Sequence, residues 1–193
     1  MSRVLLAGLA VTLGLLSGCS DDADPSPKVS PTPSSSSAGS TSPSPSPTPA
    51  GPVEPTLPPE AEGDDAAAAE AFVRHYWEMV NYAQATGDVA GLRRLESPTC
   101  EACAGGRRTI EETYGAGGSI EGGEARVSSA QAGRLGTAVG RVFGVTVEVD
   151  IAEQVVNEPG AETVRHDGGT FTFDFIVQNE RGSLLVARWD VDL

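Results

Sequence analysis

Cys100 and Cys103 are the most specific chemistry-bearing pair in the folded part of this 193-residue chain. Three residues apart where a helix is predicted to begin, they share one turn and can reach each other. Three chemistries use such a pair. A structural disulfide would close a very small loop, with a small entropic gain. A thiol–disulfide exchanger would use the depressed thiol pKa of a CxxC at a helix N-terminus. A zinc site would need two further ligands. Glu101 opposes thiolate formation, no βαβ strand leads into the motif, and no histidine lies near it. The favoured reading is therefore a structural bridge, oxidised outside the cytoplasm.

The rest of the chain offers little else for catalysis. With two histidines, His75 and His166, no Ser/His/Asp constellation or metal-ligand cluster can be assembled. The glycines at 115, 117, 118, 122 and 123 lack a following Lys-Ser/Thr and read as turn chemistry rather than a phosphate cradle. No catalytic residue, metal or cofactor is assigned. The polar groups expected nearest any cavity are His75, Tyr76 and Tyr82.

The elements that must position these residues change period along the chain. Asp64 to Thr86 reads as a helix, with acids at its start and Phe72, Tyr76, Met79, Val80 and Ala83 forming an apolar stripe widened by Val73 and Trp77. Thr86-Gly87-Asp88 stops it. A short helix follows from Val89 to Leu95, and Ser97-Pro98-Thr99 opens a third that runs to about Tyr114. After that the period is two. Glu124 to Gln131 is a weak strand, Val142 to Val156 a clear one, and Glu162 to Gln178 and Leu184 to Leu193 alternate again. Phe143, Val145, Val147, Val149, Phe171, Phe173 and Phe175 fall inward, as does the face of Leu185, Ala187, Trp189 and Val191. Glu148, Asp150, Asp174, Asp190 and Asp192 fall outward by parity. The fold expected is α+β: three N-terminal helices packed on one curved antiparallel sheet of about four strands. Tyr76, Trp77, Phe173 and Trp189 are the residues expected to line a pocket between helices and sheet.

Composition divides the chain. Twelve of its fourteen prolines precede residue 60, and the net charge of −14 falls as −10 from Asp64 onward and −4 before it. An acidic chain with a single lysine, Lys28, lacks the basic face that nucleic acid requires. Residues 64–193 suffice for one domain. Residues 19–63 are rich in Pro, Ser and Thr, most regularly in SPSPSPTP at 42–49, and read as a disordered tether extended at about 3.1 Å per residue. At the start, Arg3 precedes an apolar run from Val4 to Leu16, too short for a stable membrane span. Leu16-Ser17-Gly18-Cys19 then resembles the lipobox of bacterial lipoproteins. That resemblance implies a signal peptide over residues 1–18, cleavage before Cys19, and acylation of its sulfur.

The stretch from Ala71 to Cys103, AFVRHYWEMVNYAQATGDVAGLRRLESPTCEAC, resembles an uncharacterised family of actinobacterial lipoproteins, domain of unknown function 6318. Leu57-Pro58-Pro59-Glu60-Ala61 resembles that family's entry to the domain. Helices followed by a long curled sheet also resemble the nuclear transport factor 2-like cone. Neither resemblance implies a reaction. The expected protein is a lipid-anchored domain on the extracytoplasmic face of a bacterial membrane, binding an envelope protein or a small apolar ligand without catalysis. An isomerase- or cyclase-like enzyme using the pocket, a thiol–disulfide protein, and a homodimer formed through the sheet are the alternatives.

Overall fold

Local capping sets the three helices of the computed structural model, which describes residues 51–136 and 141–192. Residues 1–18, where a signal peptide is expected, Cys19 and the expected tether as far as residue 50 lie outside the described residues, as does Leu193. Helix α1 spans Ala66–Thr86, with the Asp65 carboxylate accepting from the Ala68 amide at 2.9 Å. It ends where Gly87 turns left-handed at φ 78° and its N–H returns to the Ala83 carbonyl. Phe72, Val73, Tyr76, Met79 and Ala83 form its buried face. Helix α2 spans Ala90–Leu95 and α3 spans Glu101–Gly115. The segment before Asp64 joins this packing: a short 3-10 turn, Pro59–Ala61, lies against α1 and buries Ala61 at 2% exposure.

The single curved sheet of about four strands, and with it the cone expected from the nuclear transport factor 2-like resemblance, is overturned. The described residues form two antiparallel sheets. The larger has the order β2-β3-β6-β7, from Ala125–Leu135, Val142–Ile151, Gly169–Glu180 and Ser183–Asp192. The smaller has the order β1-β4-β5, from Ser119–Gly122, Gln154–Asn157 and Val164–His166. Two stretches that read as continuous strands are each cut by a corner. Both β3 and β6 leave the large sheet at one rung, Ile151 opposite Gly169, and the chain beyond it pairs as β4 with β5. Gly168 makes the corner by close approach, since a Cβ there would lie 2.6 Å from the Ile151 carbonyl oxygen. Gly122, at φ +70°, approaches equally closely, with a Cβ falling 2.2 Å from the Glu153 oxygen. The alternation lapses at these corners, β4 being half-buried and β5 exposed at every position, but a lapse in period does not say which segment pairs with which.

A bulge makes a second correction. In β7 Val186 pairs with Val177 but Arg188 with Ile176, leaving Ala187 as the extra residue. Leu184 and Val186 are therefore the buried residues before the bulge, in place of Leu185 and Ala187, while Trp189 packs on the core after it. Helix α1 covers the free edge of β2 with side-chain hydrogen bonds. Asn81 both donates to the Ala125 carbonyl and accepts from its amide at 2.8 Å, Arg74 donates to the Val127 carbonyl at 3.0 Å, and Glu70 accepts from the Ala132 amide at 2.9 Å. On the outer face, Glu148, Asp150, Asp174, Asp190 and Asp192 are exposed. Thr146 donates to Asp174 at 2.5 Å and Thr170 to Asp150 at 2.6 Å.

Candidate functional site: a cavity between helices and sheet

The inner face of the large sheet and the helices enclose a cavity of about 310 Å³, at the small end of the roughly 300–1,000 Å³ of ligand pockets. Its walls follow from the patterns above. Phe173, Phe175 and Trp189 arrive from alternate positions of β6 and β7; Tyr76, Trp77 and Val80 from the buried stripe of α1; Leu92 from α2; and Cys103, Arg107 and Ile110 from successive turns of α3. Aromatic rings dominate and meet edge to face. Trp77 and Phe173 are 4.9 Å apart between centroids, Phe173 and Trp189 5.8 Å, and Tyr76 and Phe175 5.7 Å.

One side of this apolar space is polar. Glu96, 6% exposed, accepts a hydrogen bond from the Tyr76 hydroxyl at 3.0 Å on one oxygen and pairs with Arg107 through the other. Burial raises the Glu96 pKa above the ordinary carboxylate value; Arg107 and the Tyr76 hydrogen bond oppose that shift without cancelling it. Burial, reinforced by the neighbouring Glu96, likewise pushes the Tyr76 hydroxyl well above the ordinary phenol value, so it stays protonated as a donor. The Trp189 indole N–H lies near the Tyr76 hydroxyl but closes no hydrogen bond with it, and its nitrogen is buried without a partner among the described residues, as are Trp77 Nε1 and Gln84 Oε1, whose residues also line the cavity.

All four pocket residues named from sequence, Tyr76, Trp77, Phe173 and Trp189, line this cavity. His75 and Tyr82 do not. His75 points away at 3% exposure into a separate groove with Leu57, Met79 and Arg94, its Nδ1 3.6 Å from the Glu78 carboxylate. Cys100 and Cys103 are disulfide-bonded and each is 2% exposed. Cys100 also caps α3 by accepting from the Cys103 amide at 3.3 Å. The bridge pins the first turn of α3, and Arg107 lies one turn beyond Cys103 on the same face. Cys19 lies outside the described residues. Among the described residues no group of three His, Cys, Asp or Glu side chains could hold a metal ion. Glu96 and Arg107 escaped the sequence reading. Glu96 follows the last residue of α2, where the backbone turns extended at φ −114° and forms a single bridge with Val186, carrying the carboxyl inward. An acid after a short Arg-Arg-Leu helix gives no such signal.

Fold and site define a helix-then-sheet domain with one aromatic-walled cavity and a buried Tyr–Glu–Arg cluster. The chain belongs to the Family of unknown function (DUF6318), whose family model matches residues 43–187. No curated protein matches it by sequence. Among solved structures it is similar to the intermembrane space region of the chloroplast protein ARC6, at 14% identity and a TM-score of 0.49 over 66% of this chain and 95% of that one.

Proposed function

We propose that this protein is a bacterial lipoprotein of actinobacterial type, held by acylated Cys19 on the extracytoplasmic face of the membrane. Its C-terminal domain binds a small, mostly apolar molecule without transforming it. The lipobox resemblance and the Pro/Ser/Thr tether support the address. The Cys100–Cys103 disulfide fits an oxidising compartment, and no helix among the described residues is long and apolar enough to cross a membrane. The observation that carries the binding reading is the cavity itself, with aromatic walls and a polar cluster on one side.

The isomerase- or cyclase-like alternative has one observation in its favour: Glu96 is a buried carboxyl with a raised pKa inside the cavity. Each of its oxygens, however, already holds a partner, Tyr76 on one and Arg107 on the other, and those contacts account for the group as one that ties α1, α2 and α3 together. The burial of both cysteines weighs against thiol exchange.

Both tryptophans of the chain line the cavity, so intrinsic fluorescence reports its occupancy. The full chain in lipid nanodiscs, blanked against empty nanodiscs, is titrated with small alkanes, ketones and aromatic hydrocarbons. A saturable fluorescence change, abolished by the cavity-filling substitution Ile110→Phe, is expected. Its absence for every probe would end the binding reading.

A further inference from the structure

The cavity's unpartnered polar atoms constrain what it takes, on an argument that rests on the binding reading above. Trp189 Nε1 and Trp77 Nε1 are buried and lack a hydrogen-bond partner among the described residues. An indole N–H is a donor only and cannot be inverted. Gln84 Oε1 is a fully buried acceptor on these walls without a partner among the described residues, but its amide can flip and present N–H₂ instead. The fixed demand of the cavity is therefore for acceptors.

Charge narrows the class further. The Glu96 charge is already compensated by Arg107, with Tyr76 donating to the other oxygen, so an ammonium group would meet no unbalanced anion. A ligand carboxylate would lose its water in an aromatic chamber whose cation is already paired with Glu96, and it would sit near that like charge. A neutral oxygen avoids both costs and satisfies the Trp189 N–H, which otherwise stays desolvated and unpaired.

We propose that the cavity selects a neutral molecule whose apolar body carries an acceptor oxygen (a ketone, ester or ether) and that the Trp189 indole N–H donates to that oxygen beside Tyr76. Ammonium- and carboxylate-bearing molecules of the same body are discriminated against.

The test uses four probes that share an octyl chain: methyl octyl ketone, nonylamine, nonanoate and nonane. Each is titrated by calorimetry into the nanodisc-held full chain, with empty-nanodisc blanks. The ketone is expected to bind tightest, and Trp189→Phe, which keeps a ring but removes the N–H, to weaken the ketone about five- to tenfold. Nonane affinity should change little. A second readout uses the unaltered chain: of its two indole N–H resonances in a nitrogen–proton correlation spectrum, that of Trp189 should shift downfield with ketone and stay put with nonane. Equal or tighter binding of the amine or the carboxylate overturns the proposal and leaves the cavity a binding site. So does a Trp189 resonance indifferent to the ketone, or an unchanged ketone affinity in a folded Trp189→Phe. Failure of all four probes, nonane included, overturns the binding reading itself.

Discussion

Replacing Glu96 by alanine and by glutamine separates the hydrogen bonds of this buried group from its charge. Its side chain is 2% exposed and holds the Tyr76 hydroxyl on one oxygen and Arg107 on the other. Glu96→Ala strands the Tyr76 hydroxyl in the interior, at about 1–3 kcal/mol for a buried unsatisfied group. It also unpairs Arg107, whose side chain at 17% exposure can turn toward water for about 1 kcal/mol or less. The combined loss is roughly 1–4 kcal/mol. Glu96→Gln keeps the shape and a partner for Tyr76 and gives up the Arg107 contact, so about 1 kcal/mol is expected. The pH dependence follows from the raised pKa. A carboxyl whose folded pKa lies above its ordinary value of 4.5 contributes stability that is fully present below that value and is lost as pH rises through the folded pKa. Glu96→Gln lacks that component, so on acidification through this window the wild type gains stability relative to the variant. Urea unfolding followed by tryptophan fluorescence, stepped from neutral to acidic pH, measures both effects. If glutamine is as damaging as alanine at neutral pH, or the gap to wild type stays flat with pH, the reasoning from burial is refuted.

Four further outcomes are expected, three from the same geometry and the last from the lipobox resemblance. Gly105 and Gly106 lie in the interior of α3, where an added Cβ would meet nothing within 4 Å; alanine at each should stabilise by about 0.5–1 kcal/mol, seen as a raised Tm. At the corner glycine the sign reverses: Gly168→Ala drives a Cβ against the Ile151 oxygen and Glu153 nitrogen and should cost about 2 kcal/mol or more, which urea unfolding would reveal. Replacing Cys100 and Cys103 together by serine removes a bridge of sequence separation 3 and should cost about 2 kcal/mol on the loop-entropy scale; an unchanged midpoint would mean that the bridge constrains nothing. Cys19→Ala should move the protein out of the membrane fraction; retention there would show the lipid address to be misread.

The helices were legible because their signals are local. Asp65 caps α1, Gly87 stops it, and the spacing of Phe72, Tyr76, Met79 and Ala83 names the buried face before any partner is known. The strand faces were legible for the same reason: Phe173 and Phe175 alternate with Thr172 and Asp174 wherever the pleat runs unbroken. Hence Tyr76, Trp77 and Phe173 lie on faces that spacing names, whereas Trp189 reaches the same side only because of the bulge at Ala187. The division into two sheets could not. A corner at Gly168 and a bulge at Ala187 are events between strands, visible only in which residues oppose each other.

The sequence by itself determined the helix caps, the aromatic inner face, the acidic outer face and the pairing range of Cys100 and Cys103, because each depends on neighbours within a few residues. Tertiary structure decided that β3 and β6 turn away together into a second sheet, and that Glu96 leaves α2 to meet Tyr76, 20 residues before it, and Arg107, 11 residues after. It also decided that His75, on the same helix as Tyr76, faces elsewhere. Those outcomes depend on long-range packing and on which polar groups can be satisfied once water is gone. No local pattern encodes that competition.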